Sequence, residues 1–263
     1  SVLLALLTLI KNNIIKLKGK IYAFDINEPL IYMYINIQKN HKELYNEILK
    51  LIDEYNKCKE HDKKREVNRN PNSINEAIQS KEQYYYWIRN NYNKLTPNDK
   101  KTVLGSAMFI FLNKTCFRGV FRVGPNGFNV PYGHYNNPPE IISLEEMRSI
   151  SDLIKNVKFI SGGFEDSFTN FKTGDFVYLD PPYAPENTKS FVNYTKDGFN
   201  LDMHNKLFDM IINLDDEIIR SHLNAKSIMS DSNLLCKYYL EGVKKCNFPI
   251  RKNKGNISFF NGV

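Results

Sequence analysis

The chain has 263 residues, 42% of them hydrophobic, with 36 lysines and arginines against 29 aspartates and glutamates, a formal charge of +7. That length buries a sizeable core, as one domain with a large insertion or as two domains, and the basic balance favours a polyanionic partner such as nucleic acid. Cys58, Cys116, Cys236 and Cys246 form no C-x-x-C pair and the five histidines are scattered, so neither a disulfide scaffold nor a metal site is expected, and no run reaches the roughly 18 apolar residues of a membrane span.

The opening SVLLALLTLI lacks a basic n-region and a small-residue cleavage site, and it leads into KNNIIKL with its own apolar spacing. A buried helix over residues 1–17 is therefore expected in place of a signal peptide. After KGK, the segment IYAFDIN reads as a strand ending on Asp25 and Asn27, and a helix follows it to residue 36. Together these make half of an α/β unit.

Residues 37–140 differ in character. HKELYNEILKLIDEY has helical apolar spacing, KCKEHDKKREVNRN and PNSIN read as a mobile connection, and SINEAIQSKEQYYYWIRNNY is a further helix. TPNDKKTVLGSAMFIFL reads as a helix with Thr96 as its N-cap and Pro97 at its first position. In NKTCFRGVFRVGPNGFNVPYGHY a Gly-Pro-Asn-Gly turn separates two aromatic-rich arms, as in a hairpin or a long loop.

Alternation of helix and strand then returns. SLEEMRSISDLIKN opens with a capping box from Ser143 to Glu146, followed by the strand VKFIS, the strand within DFVYLDPPY, the helix LDMHNKLFDMIINLDDEII and the strand KSIMS. The expected fold is α/β: a parallel-sheet domain formed by residues 1–36 and 141–263, interrupted by a mainly helical insertion, residues 37–140, that carries the hairpin.

Within VYLDPPY, Val177, Tyr178 and Leu179 read as a short buried strand. Pro181 and Pro182 remove two consecutive N–H donors and stop any ladder or helix. Asp180 is left at the carboxyl end of the strand, where open α/β sheets place their ligands.

These motifs, in this order, resemble the amino-group methyltransferases that use S-adenosylmethionine, and among them the Dam-type, D12 class of DNA N6-adenine methyltransferases. The likeness runs from Ser1 to about Asn233: YAFDIN matches the acidic strand end, LNKTCFRGVFR and FNVPYGHY the recognition segment, DPPY the catalytic turn and IMSDSN the strand after it. The resemblance implies a Rossmann-like methyltransferase sheet with an inserted DNA-recognition domain. It implies that Asp180 and the Pro181 carbonyl accept the N–H groups of the adenine amine, that Pro182 stiffens the turn, and that Tyr183 offers a face to the extruded base.

The implied cofactor is S-adenosylmethionine, held by Ser1, Asp25, Ile26, Phe164 and Asp180. Asp25 would accept from ribose hydroxyls, Ile26 would flank the adenine ring and Phe164 would line its pocket, although Gly162 and Gly163 stand where many members have a polar residue. The implied partner is double-stranded DNA, with no membrane and no metal. Arg122 would read a guanine edge, Phe117 and Val120 would make apolar contacts near the target, and Lys114, Arg118 and His134 would hold phosphates. Arg118 replaces a residue that is often Asn in the family.

Ser1 matches the last residue of the family's F-x-G-x-G-S loop, and FPIRKNKGNISFFNGV lacks the family's R-x-I-x-S-K-N-P pattern. The expectation is that the sequence omits segments of the whole protein. A restriction endonuclease counterpart and an intracellular location, cytoplasmic or nucleoid-associated, also follow from the resemblance. The richness in Lys, Asn and Ile hints at an AT-rich bacterial or viral genome. Two competing readings are a degenerate homologue kept for DNA binding and an amino-methyltransferase for RNA adenine, DNA cytosine N4 or protein glutamine. The intact Asp180-Pro181-Pro182-Tyr183 and the recognition segment favour DNA adenine.

Overall fold

The computed structural model describes residues 2–59, 66–135, 140, 142–172, 175–181, 199–213, 220–223, 251–253 and 256–258. The chain divides into two compact units, residues 1–163 and 164–263. The first unit contains α1 (Val2–Lys11), β1 (Ile21–Asp25), α2 (Glu28–Lys57), α3 (Ile74–Ala77), α4 (Lys81–Lys94), α5 (Val103–Thr115), β2 (Val123–Gly124), β3 (Gly127–Phe128), α6 (Leu144–Ile154) and β4 (Val157–Ser161). Single 3-10 turns lie at Asp99–Lys101 and Phe117–Gly119. The second unit contains α7 (Phe164–Phe168), β5 (Phe176–Leu179), α8 (Leu201–Ile212), β6 (Arg220–Leu223), β7 (Arg251–Asn253) and β8 (Asn256–Ser258).

Each unit contains a parallel strand pair. β1 runs beside β4 with Ile21 opposite Val157 and Asp25 opposite Ser161, and β5 runs beside β6 from Phe176 opposite Arg220 to Leu179 opposite Leu223. Parallel neighbours need a crossover, which α8 supplies within the second unit. The chain is therefore a mixed α/β protein with parallel strands, as the alternation in the sequence predicts. The predicted strand KSIMS lies outside the described residues.

Several element boundaries depart from the sequence reading. The first helix stops at Lys11 instead of residue 17, because Asn13 takes a positive φ of 60° and the chain turns there. Of its residues only Leu7 is fully buried, and Ile14, Ile15 and Leu17 beyond it are exposed.

α2 is one helix through residue 36, with a non-helical residue at Asn40 (φ −133°, ψ 33°). The kink is tied down by tertiary bonds: Asn40 Nδ2 donates to Asn36 Oδ1 at 3.0 Å, and Asn36 Nδ2 donates to Ser106 Oγ at 2.8 Å and to the Lys101 carbonyl at 2.9 Å. The helix expected over SINEAIQSKEQYYYWIRNNY is two, because Ser73 and Ser80 are both extended and each caps its own helix. Thr96 closes the turn before the 3-10 segment with Asp99, and Thr102 is the residue that caps α5. The Ser143–Glu146 capping box is present as read.

The core of the first unit is rich in tyrosine. Tyr84, Tyr85, Leu44, Ile48, Phe111 and Leu112 are buried where α2, α4 and α5 meet. Phe111 receives Tyr55 and Tyr84 nearly edge-on, at 5.6 and 5.7 Å between ring centroids. A buried phenol needs a partner, and each of these has one: Tyr84 donates to Glu54 Oε2 at 2.6 Å, and Tyr55 bonds to Tyr132 at 2.5 Å.

Candidate functional site

β1 delivers Asp25 to its carboxyl end, and α2 begins three residues later with Asn27 as its cap. Asp25 Oδ1 accepts from the Asn27 N–H at 2.7 Å. Oδ2 has no hydrogen-bond partner among the described residues. Burial raises the carboxyl above its ordinary range, and the Asn27 N–H works against that rise. Tyr34 is also held above the usual phenol range, chiefly by burial and then by the nearby Asp25 charge. Ile26, the next residue, is 60% exposed. A half-buried carboxylate with one oxygen unpaired, beside an exposed apolar side chain, fits a ligand with hydroxyl donors next to a flat ring.

In the second unit, β5 ends at Leu179 and Asp180 follows directly, with its side chain exposed. Pro181 is half-buried, and Pro182, Tyr183 and Ser1 lie outside the described residues. Phe164 opens α7 and packs against Phe199 at 5.8 Å, and Phe199 meets the His204 ring at 4.6 Å. His204 is buried, neither ring nitrogen has a hydrogen-bond partner among the described residues, and burial holds its pKa below the ordinary imidazole value. This aromatic row was not foreseen from the sequence, where His204 is one polar residue within a helical pattern.

Five of the six predicted DNA contacts fall on one laced segment of the first unit, and Lys114 stands just before it in the last turn of α5. Residues 115–122 and 128–135 are joined by Phe117 N–H to the Pro131 carbonyl (2.8 Å), Gly133 N–H to the Thr115 carbonyl (2.9 Å) and Asn129 N–H to the Arg122 carbonyl (3.2 Å). Cys116 and Tyr132 add an isolated bridge, and Tyr135 Oη donates to the Cys116 carbonyl at 2.8 Å. Lys114, Phe117, Arg118, Val120, Arg122 and His134 are all exposed.

The Phe117–Gly119 turn projects because Arg118 and Gly119 both take positive φ, 57° and 63°. Phe117 is 46% and Val120 43% exposed, a large apolar area on a basic segment. The Arg118 guanidinium lies 5.0 Å from the Phe117 ring centroid. His134 Nε2 is 3.6 Å from Glu82 Oε2, an acid that offsets its charge when it is protonated.

The support beneath this segment was missed by sequence reasoning. Tyr85 Oη and Arg89 Nη1 donate to the Val130 carbonyl at 2.7 and 3.2 Å. Asn93 donates to the Phe128 carbonyl and accepts from its N–H, both at 2.9 Å. Residues 85, 89 and 93 are spaced i, i+4, i+8 on α4, a signal that was available in the sequence. Among the described residues no group of three or more His, Cys, Asp or Glu is placed to hold a metal ion, and no helix is long and apolar enough to cross a membrane.

The profile of a family described as D12 class N6 adenine-specific DNA methyltransferase matches residues 10–254. The chain is similar to the type II methyltransferase M.MjaIII of Methanocaldococcus jannaschii, 37% identical over 215 residues, covering 81% of this chain and 65% of that protein. It is also similar to the type II methyltransferase M1.LlaDCHI of Lactococcus lactis subsp. cremoris, 34% identical over 160 residues (57% and 56% of the two chains). The retron Ec67 DNA adenine methylase of Escherichia coli is 34% identical over 128 residues, 48% of this chain and 41% of that protein. The chain thus spans less than two thirds of the length of each of these relatives.

Proposed function

The chain belongs to the D12 class N6 adenine-specific DNA methyltransferase family, and on that footing we propose that the protein methylates adenine N6 in double-stranded DNA, using S-adenosylmethionine. The observation that carries the reading is Asp180-Pro181 placed directly at the carboxyl end of the parallel strand β5.

The adenine amine is a poor nucleophile because its lone pair is delocalised into the ring. In the proposed reaction the Asp180 carboxylate and the Pro181 carbonyl accept its two N–H bonds, draw the nitrogen toward tetrahedral geometry and aim its lone pair. The fixed φ of the prolines keeps both acceptors in place, and such positioning lowers a barrier by on the order of several kcal/mol. Asp180 also stabilises the positive charge that develops on nitrogen. Tyr183 stacks on the base once it has left the duplex.

S-adenosylmethionine supplies the electrophilic methyl group. Asp25 Oδ2 is the acceptor for its ribose hydroxyls, and Ile26 and Phe164 are the apolar faces for its adenine. Ser1 belongs to the methionine end. In this reading residues 1–36 and 141–263 form the catalytic domain and 37–140 the target-recognition domain, with Lys114, Arg118 and His134 on phosphates, Phe117 and Val120 near the target base and Arg122 on a guanine. A restriction endonuclease of the same specificity is the partner it suggests in the cell.

The test is to expose DNA to the full-length protein and S-adenosylmethionine, then digest it with methylation-sensitive nucleases of known sites. GATC is the first site to try, because FRGVFR and FNVPYG resemble the Dam-type segment. Asp180→Ala should keep DNA affinity and lose at least about a hundredfold in methylation rate, the scale of one preorganised polar group. Methylation by the variant at near the wild-type rate rejects the role of Asp180. Methyl transfer to RNA or to cytosine in place of DNA adenine rejects the substrate.

A further inference from the structure

Arg122 does not extend freely from the hairpin. Its Nε donates to Asn129 Oδ1 at 2.7 Å and its Nη2 donates to the Asn129 backbone carbonyl at 3.2 Å. Asn129 is in turn fixed on the opposite arm, where its N–H donates to the Arg122 carbonyl at 3.2 Å. One residue thus meets Arg122 with its side chain, its carbonyl and its N–H.

The space for this contact is built into the hairpin. A Cβ on Gly124 would collide with the Asn129 side-chain amide, so a larger residue at 124 would push the Asn129 side chain out of its place. Gly124 and Gly127 are paired across the turn, with Val123 opposite Phe128.

Guanidinium geometry shows what the contact leaves available. Of the five N–H donors, the lateral edge, Nε and one proton of Nη2, is spent on Asn129. The end-on edge, formed by Nη1 and the second proton of Nη2, has no partner among the described residues. Two parallel donors on that edge match the two acceptors, O6 and N7, that guanine presents in the major groove.

We propose that Asn129 is a positioning residue for specificity: it grips the lateral edge of Arg122 and presents the end-on edge to a guanine. An arginine side chain has large rotamer freedom, and holding it in the reading geometry before DNA arrives removes part of the ordering cost of binding. The role rests on the assignment of Arg122 as a base reader, and the experiment separates the two claims.

The full-length protein is tested on an oligonucleotide panel in which each base pair of its methylated site is varied in turn. The proteins compared are wild type, Arg122→Ala, Asn129→Ala, Asn129→Asp and the Arg122→Ala/Asn129→Ala double variant. Arg122→Ala should lose discrimination at one base pair, by an amount within the roughly 5- to 150-fold that such a contact supplies. Asn129→Ala should lose about fivefold or more of the discrimination at that same pair and little elsewhere. Asn129→Asp, which keeps an acceptor for Nε, should retain it. In the Arg122→Ala background Asn129→Ala should add nothing, since the two act as one unit.

Simple loosening of the hairpin predicts a different pattern, a uniform loss at every substituted site that persists in the double variant, and that result overturns the proposal. Wild-type discrimination by Asn129→Ala, with Arg122→Ala still selective in its loss, overturns the positioning role alone. No pair-specific loss in Arg122→Ala overturns the base-reading assignment and the positioning role with it.

Discussion

Asp25 shows a side chain kept against its own folding preference. Burial raises its folded pKa above the unfolded value of 3.8, with the Asn27 N–H opposing. For an acid the sign is unambiguous: with a raised folded pKa, the native state binds the proton more tightly than the unfolded chain. The charge therefore costs stability once the pH exceeds the folded pKa, and costs nothing below 3.8, where both states are protonated. Asp25→Asn keeps an acceptor for the Asn27 N–H and removes the charge. Its thermal midpoint at pH 7 should equal or exceed that of wild type, and the difference should shrink as the pH falls through the folded pKa and vanish below 3.8. By calorimetry, affinity for S-adenosylmethionine should drop by about 1.5–3 kcal/mol, the scale of a lost charged hydrogen bond. A variant less stable at pH 7 whose cofactor affinity is unchanged would make Asp25 a structural residue.

At the level of elements, the β2–β3 hairpin is held by a helix instead of a third strand. Asn93 on α4 exchanges both hydrogen bonds with the backbone of Phe128, as an adjacent strand would, and Gly127, with φ of 96°, leaves room for the Asn93 side chain. Asn93→Ala strips partners from a buried residue's N–H and carbonyl. It should cost about 1–3 kcal/mol in urea unfolding and speed amide exchange at Phe128, while protection in β4 falls only to the extent of the global loss. Unchanged protection at Phe128 would show that the strand pair stands without α4. This docking also marks where the sequence ceases to be legible. Ser143 with Glu146, the strands IYAFD and VKFIS, and the acids Asp25 and Asp180 at the ends of β1 and β5 are local patterns, and they can be read without knowing what packs on them. The helix boundary expected near residue 36 depended on tertiary bonds from Asn36 to the start of α5, which no local pattern reveals. The grip of Asn129 on Arg122 is likewise a cross-strand pairing, set by a register that the Gly-Pro-Asn-Gly turn suggests but does not fix.

For the whole molecule, the excess of seven positive charges acts at a distance as general attraction to a polyanion, and only cations without an acid partner deliver it in full. The exposed basic groups of residues 114–134 differ in this respect. His134 has Glu82 at 3.6 Å, whereas Arg122 keeps its full charge, since its partner Asn129 is neutral. Lys114, in the last turn of α5, and Arg118, beside the Phe117 ring, have no ion pair among the described residues, so both keep their charge available to a phosphate. Each phosphate neutralised releases counterions and contributes about 0.9 to the slope of log affinity against log salt. Lys114→Ala should therefore flatten that slope by about one such contact and weaken binding to all sequences alike. His134→Ala should change it less, because Glu82 at 3.6 Å already offsets charge at that position. The measurement is fluorescence anisotropy with cognate and scrambled duplexes over a range of salt concentrations. If Lys114→Ala leaves the slope unchanged, its charge does not meet a phosphate, and if it weakens the cognate duplex alone, Lys114 contacts a base instead.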